Sequence, residues 1–319
     1  MDWTNFANTF WDNTRDGLAV GSIYALVALG YTLVYGVLRL INFANSEVFM
    51  LGTFGSFAAL WLLDVPTAGE EMTGLALVGA LALCFVLSVA FSGGTAVALE
   101  RLAYRPLRRR GAPRLVFLIS AIGASFMLAE AVGAFGPNRR DNYTLPEIFD
   151  PNRVLFTIGD TSFFVRHVVV VVAALVLMVA LNIFVNRTRL GRGMRAVAQD
   201  SETARIMGVN VDRVILLTFL IGGLMAGGAA FLYVLYLPTT RYNVGFLLGV
   251  KAFTAAVLGG IGNIRGALLG GLVLGLVEKY GAGLFGGKWI DVIAFIVLVV
   301  VLMFRPTGLL GESLGRARA

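Results

Sequence analysis

Few residues in this 319-residue chain are able to do chemistry, and several of them sit inside apolar runs. Glu47 and Lys251 are charged side chains in such runs, where an ion needs a partner or a wet cavity. Around Glu47, the residues Asn42, Asn45 and Ser46 make a polar cluster in otherwise apolar sequence. Downstream of Lys251 lies a glycine cluster, Gly259, Gly260, Gly262 and Gly266, with Arg265 inside it and Gly270, Gly271 and Gly275 beyond. Gly262, Gly266 and Gly270 are spaced as small-xxx-small steps, which suits close helix crossing. A transport pathway uses interruptions of this kind, because freed backbone groups in a membrane are tolerated only where they line a cavity or are buried in protein. One interruption falls in each half of the chain, which hints at an inverted pseudo-repeat. We expect Glu47 and Lys251 to pair across the two halves; the alternative is that both snorkel to nearby interfaces. Glu130 is expected to pack between helices, bonded to serine or backbone groups. Glu47 and Glu130 are then the intramembrane carboxylates.

Other chemistries are poorly supplied. One cysteine, Cys84, and one histidine, His167, make neither a disulfide framework nor a Cys/His metal or catalytic site within one chain. Cys84 lies in an apolar run and is expected simply to pack; His167 falls at the outer end of a span. Gly286-Gly287-Lys288-Trp289 superficially looks like a phosphate loop, but Ala282 stands where the first glycine belongs and Trp289 where serine or threonine belongs. The sequence Gly-Gly-Ile-Gly-Asn-Ile-Arg-Gly from Gly259 has no βαβ context, which excludes dinucleotide binding. The expectation is a chain with no ATPase site, no catalytic residues, no metal and no cofactor of its own.

The elements that must position these residues are membrane helices. Of all residues, 58% are hydrophobic and 14% charged, against roughly 45–50% and about 25% in a soluble domain. The apolar runs are continuous rather than alternating, which favours helices over a barrel. The predicted fold is all-α, a single polytopic transmembrane domain over 1–319. Spans are expected at about Gly17 to Leu38, Gly74 to Leu99, Leu115 to Gly136, His167 to Asn186, Val214 to Leu237, Ala267 to Leu284 and Trp289 to Phe304. Two interrupted segments, Asn42 to Leu63 and Phe246 to Ile261, either cross or re-enter, giving nine crossings or seven. The 39 glycines imply tight helix packing.

Arginines set the orientation. Six lie between 100 and 114 and six between 187 and 213, whereas 64–73 has none, so the basic connections are expected to be cytoplasmic. The external loop is then 137–166, the N-terminus lies outside, and the C-terminus, with Arg305, Arg316 and Arg318, lies inside. Asp2, Asp12 and Asp16 make the first residues unlike a basic signal peptide, so the first span is expected to be retained, with the mature N-terminus near Met1. The net charge of +7 is absorbed by these loops, and no nucleic-acid partner is inferred.

The cytoplasmic loop 187–213 carries its own pattern. Asp200 reads as an N-cap, Ser201 to Met207 as two helical turns and Gly208 as the left-handed residue that ends them. Ala204 and Gly208 would offer a small-residue face, with Arg195, Glu202 and Arg205 as charged rims. Read alone, this is either a docking helix or a solvated amphipathic connector.

Three stretches resemble a known family. They are Ile41 to Phe54 (INFANSEVFMLGTF), Arg195 to Ile215 (RAVAQDSETARIMGVNVDRVI) and Lys251 to Gly271 (KAFTAAVLGGIGNIRGALLGG). In order and spacing they resemble the permease subunits of ABC importers for branched-chain amino acids, of the Liv H type. Glu100 to Arg108 and Arg305 to Gly311 are similar to the same family, which sits in a wider group of binding-protein-dependent permeases that includes ribose-type members. Asn45-Ser46 departs from a His-Gly common there, and Arg265 from a proline. The resemblance implies that Arg195, Ala196, Asp200, Ala204 and Gly208 couple to ATPase subunits. It also implies a second homologous permease subunit, two cytoplasmic ATPase subunits that use ATP, an extracytoplasmic binding protein and a place in the plasma (inner) membrane. Urea or short amides are the alternative cargo. An ion-coupled secondary transporter would need more intramembrane carboxylates, and an intramembrane enzyme would need a nucleophile and base.

Overall fold

A computed structural model describes residues 9–64, 74–136, 140–144, 146, 154–158, 161–305 and 307–311. The expectations placed on Met1, on most of 64–73, and on Arg316 and Arg318 lie outside the described residues.

Helices dominate, and their order follows the apolar runs. α1 is Phe10–Leu38, α2 Asn45–Leu62 and α3 Gly74–Leu99. One π-helical turn, Glu100–Tyr104, carries α3 into α4, Arg105–Arg109, and α5 is Arg114–Phe135. The arginine-bearing segment after Leu99 was expected to be a connection; it is instead largely a continuation of the helix. After strands β1 (Tyr143–Thr144), β2 (Val154–Ile158) and β3 (Thr161–Phe164) come α6, Val165–Arg187, and the short helices α7, Arg189–Gln199, and α8, Ser201–Ile206. α9 (Val211–Tyr236), β4 (Thr239–Thr240), α10 (Val244–Gly259), α11 (Ile264–Phe285) and α12 (Ile290–Phe304) complete the chain.

Among the described residues, seven helices are long and apolar enough to cross a bilayer. α2 and α10, of 18 and 16 residues, are the two segments that were expected to be interrupted. Each is one continuous helix, and neither is among the seven. Contacts fix the two ends. At the basic end, Tyr104 Oη donates to Asn42 Oδ1 at 2.8 Å, Arg108 meets Asp212 at 2.8 Å, and the amides of Leu309 and Leu310 donate to the carbonyls of Leu258 and Gly259. At the opposite end β1 pairs with β4, with Tyr143 beside Thr240, while Thr14 and Tyr280 hydroxyls lie 2.7 Å apart. His167 sits in the first turn of α6, at this same end, and is buried there with Nε2 3.0 Å from Asp16.

α1 is the central helix, buried from about Gly17 to Val34. It runs antiparallel to α11 on a seam of small residues. A Cβ at Gly21 would come 2.9 Å from the Gly271 carbonyl, and one at Gly17 would come 3.0 Å from Leu276 Cα. Such contact lets backbones approach where lipid gives no hydrophobic driving force between helices. Serines add interhelical bonds: Ser88 and Ser92 of α3 donate to the carbonyls of Gly227 and Val48, both at 2.8 Å. Cys84 is buried, with Sγ directed at the Ser56 carbonyl. The outer helices α5, α6 and α12 expose apolar side chains such as Phe126, Val176 and Val299.

The seam yields a test. Gly275→Leu puts a Cβ into the backbone of Gly21 and the Gly17 carbonyl, whereas Gly79 has nothing within 4 Å. Overpacking costs at least about 1–3 kcal/mol. Gly275→Leu is expected to lower the thermal midpoint of the purified protein clearly, and Gly79→Leu to leave it unchanged.

Candidate functional site

The polar cluster that precedes α2 is buried within the bundle. Asn42, Asn45, Ser46 and Glu47 are each 3% exposed or less. Asn45 lies against Gly30, about two turns inside the basic end of α1. The chain therefore enters the bundle from the basic end as coil before α2 begins. Ser46 Oγ donates to the Phe43 carbonyl at 2.7 Å, and Ser125 Oγ donates to Glu47 Oε1 at 3.2 Å. Gly245 and Gly249 of α10 face this turn. A Cβ at Gly245 would come 2.9 Å from Glu47 Oε2, and one at Gly249 3.1 Å from the Tyr31 hydroxyl. The Glu47 carboxylate thus lies at the N-terminal turn of α2 and beside that of α10, where helix dipoles favour negative charge. Among the described residues its Oε2 has no hydrogen-bond partner.

Lys251 does not pair with Glu47, nor does it snorkel. It is 6% exposed, and its Nζ lies 2.7 Å from Glu278 Oε1 and 2.7 Å from Asp291 Oδ1. Tyr24 Oη donates to the same Glu278 oxygen at 3.3 Å, and the lysine ammonium lies 6.0 Å from the Tyr24 ring centroid. The cluster joins α1, α10, α11 and α12. Glu278 is a buried carboxylate that the sequence reading passed over, although its position inside the apolar run of α11 was signal enough. Glu130 proves exposed instead, with its carboxylate 2.6 Å from Arg140.

The glycine cluster occupies the α10–α11 joint at the basic end. Gly260 and Gly262 have φ of 104° and 97°, values that a residue with a Cβ rarely adopts. Gly259 and Gly266 touch backbone to backbone, and a Cβ at Gly260 would come 2.5 Å from the Gly311 amide. Asn263 caps α11, its Oδ1 accepting from the amides of Arg265 and Gly266, while its Nδ2 donates to the Leu310 carbonyl at 2.9 Å. This geometry binds the segment 307–311 onto the joint.

The loop between α6 and α9 is built as a capped helical excursion. Thr188 Oγ1 accepts from the Gly191 amide at 3.0 Å, and Asp200 Oδ1 accepts from the amides of Glu202 and Thr203 at 2.9 and 3.3 Å. Gly208 has φ of 87° and its amide donates to the Arg205 carbonyl, so the left-handed stop is present. The Thr203 hydroxyl, and then the two amides, hold the Asp200 carboxyl below its ordinary value. The charged cap is therefore complete above the ordinary carboxylate range and is lost only as pH falls through that lower value. Asn210 Oδ1 accepts from the Arg213 amide at 3.0 Å and starts α9.

Two parts of the expected docking face differ. Ala204 is only 4% exposed and packs against the bundle, with Ala196 partly buried beside the same core, so Ala204 and Gly208 do not share an outward face. Arg195 is turned back to donate to the Val185 carbonyl, and it reaches Asn186, so it caps the end of α6 instead of forming a rim. What the excursion presents is Ile206 and Met207, 85% and 79% exposed. Two large apolar residues in a polar loop were the signal in the sequence.

Known proteins share this chain throughout its length. The family described as branched-chain amino acid transport system / permease component matches residues 13–302. The chain belongs to that permease family. It is 42% identical to the high-affinity branched-chain amino acid transport system permease protein BraD of Pseudomonas aeruginosa, over 93% of this chain and 94% of the relative. To the corresponding protein LivH of Escherichia coli K12 it is 40% identical, over 95% of this chain and 96% of the relative. As a member, it is a multi-pass transport subunit of the inner membrane.

The ion cluster can be tested directly. Removing one partner of a buried pair costs about 3–5 kcal/mol, whereas replacing the pair with apolar residues is often neutral. Lys251→Met is expected to lower the thermal midpoint of the purified protein, and Lys251→Met combined with Glu278→Met to recover most of the loss.

Proposed function

We propose that this chain is the pathway-forming permease subunit of an ATP-driven importer of branched-chain amino acids, gripped at its basic end by separate ATPase subunits. The observation that carries the coupling role is the capped excursion α7–α8, whose exposed tip is Ile206 and Met207. A short apolar tip on a rigidly capped helix suits insertion into a partner's groove, with Glu202 and Arg205 beside it. Asp200 and Gly208 define the ends of that helix, while Arg195, Ala196 and Ala204 fix it to the bundle. The cargo assignment draws on the family, the same relatives and the combination of motifs around Asn45 and Lys251.

In this reading the basic end, with Arg105, Arg108 and the α7–α8 excursion, faces the cytoplasm, as the excess of arginine there favours. The N-terminus lies outside and the C-terminus inside. A second homologous permease subunit completes the pathway, two ATPase subunits dock below, and an extracytoplasmic binding protein delivers the solute above. ATP hydrolysis belongs to the partners, and this chain is not itself an enzyme. Asn42, Asn45, Ser46, Glu47 and Lys251, with Gly259, Gly260, Gly262 and Gly266 at the joint, are the residues we assign to the pathway and its hinges.

Ile206→Asp with Met207→Asp separates docking from folding, because neither side chain is buried in the chain. An apolar anchor is worth about 2 kcal/mol or more in a docking surface. The double variant is expected to reach the membrane at normal levels while ATP-driven leucine uptake by the complex falls about tenfold or more. Unchanged uptake would exclude this tip as the coupling contact.

A further inference from the structure

At the basic end the buried side of α3 runs on into the π-helical turn. Ala80, Cys84, Ser88, Ser92 and Ala96 are buried at intervals of four, and Glu100 and Tyr104 continue the stripe, each 1% exposed. At about 3.6 residues per turn, a step of four overshoots by about 40°. The π turn, in which the Arg105 amide donates to the Glu100 carbonyl, is wider and takes back part of that overshoot, so both side chains stay inside the bundle. Glu100 Oε1 lies 2.9 Å from Arg108 Nη2, and that same nitrogen lies 2.8 Å from Asp212 Oδ1. Arg105 stands 3.8 Å from the other Asp212 oxygen, so two cations meet two carboxylates. Among the described residues Arg108 is the only ion-pair partner of Glu100, and Glu100 Oε2 has no hydrogen-bond partner. From the same turn, Tyr104 Oη donates to Asn42 Oδ1 at 2.8 Å, and its ring packs on Phe219 of α9.

One π turn thus joins two contacts that lead in different directions. Asp212 is the second residue of α9, directly after the Asn210 cap and the Gly208 stop of the excursion. Asn42 lies in the coil between α1 and α2, three residues before Asn45. We propose that Glu100, Tyr104 and Arg108 are positioning residues that transmit a displacement of the α7–α8 excursion to the polar cluster at the start of α2. Asp212 moves with the base of the excursion and draws on Arg108, and Arg108 draws on Glu100. The π turn then carries Tyr104, and Tyr104 carries Asn42. The inference rests on the reading that ATPase subunits grip α7–α8, and it adds the side chains through which that grip reaches the pathway. An ion pair that only stabilised the fold would be replaceable by apolar packing. One that transmits is not, because apolar side chains would leave Asp212 only the 3.8 Å contact with Arg105.

The test uses the full complex with its binding protein in proteoliposomes, and reads the ATP hydrolysed per leucine accumulated beside the thermal midpoint. Glu100→Met with Arg108→Met removes the buried charge together with its partner, so the fold is expected to keep its midpoint. Tyr104→Phe removes one hydroxyl and keeps the ring. Hydrolysis is expected to stay near wild type in both. ATP consumed per leucine is expected to rise about tenfold in the Met pair and about threefold in Tyr104→Phe, the ranges of a hydrogen bond to a charged group and of a neutral one. All three substitutions together are expected to be no worse than the Met pair, because residues of one relay do not act additively. Wild-type ATP per leucine in Tyr104→Phe, or in a stable Met pair, would overturn the proposal. So would hydrolysis and uptake falling together, which would place these residues in docking. Uptake by the wild-type complex that needs no ATP would refute the broader reading instead.

Discussion

Lipid supplies no hydrogen-bond partner, so a polar group that the helices carry inward is costly unless another group of the protein meets it. The bundle is organised around that requirement. The Asn42 carboxamide is met by the Tyr104 hydroxyl, the Ser88 and Ser92 hydroxyls by carbonyls of neighbouring helices, and the Lys251 ammonium by two carboxylates. These bonds tie consecutive helices together, as α10 to α11, and helices distant in sequence, as α3 to α9. Glycines then permit the approach that makes them short, as on the seam of α1 with α11 and at Gly245 and Gly249 against the start of α2.

The same bonds divide the molecule into two working ends. At the basic end the α7–α8 excursion, the arginines of α4 and the glycine joint lie together; at the other lie the β1–β4 pairing and the ion cluster. α9 connects them. It starts from the Asn210 cap directly after the excursion and ends at Tyr236, just before β4. Under the proposed coupling, a displacement of α8 by a partner has one continuous helix along which to reach the solute-facing end.

Much of this was legible in the sequence. Continuous apolar runs located the long helices, because a spanning helix has to be apolar along most of its length. The capping pattern of Asp200 and Gly208 was readable for the same reason that it works: both act on their immediate neighbours. What was not readable depended on partners distant in the chain. Lys251 was assigned to Glu47 by the symmetry of two interruptions, yet α11 carries Glu278 to its side, and the start of α12 adds Asp291. Ala204 looked like an outward small face because helical spacing gives a face without saying which way it turns. Glu130 lay in an apolar run but on a side that meets Arg140 in the open.

The central claim is ATP-driven passage of aliphatic amino acids through this chain. The most direct measurement is uptake of labelled leucine into proteoliposomes holding the complete complex, with binding protein outside and ATP inside. Accumulation that requires ATP, is competed by isoleucine and valine, and is indifferent to collapse of ion gradients is the predicted result. Accumulation that persists without ATP and disappears with an ion gradient would contradict it.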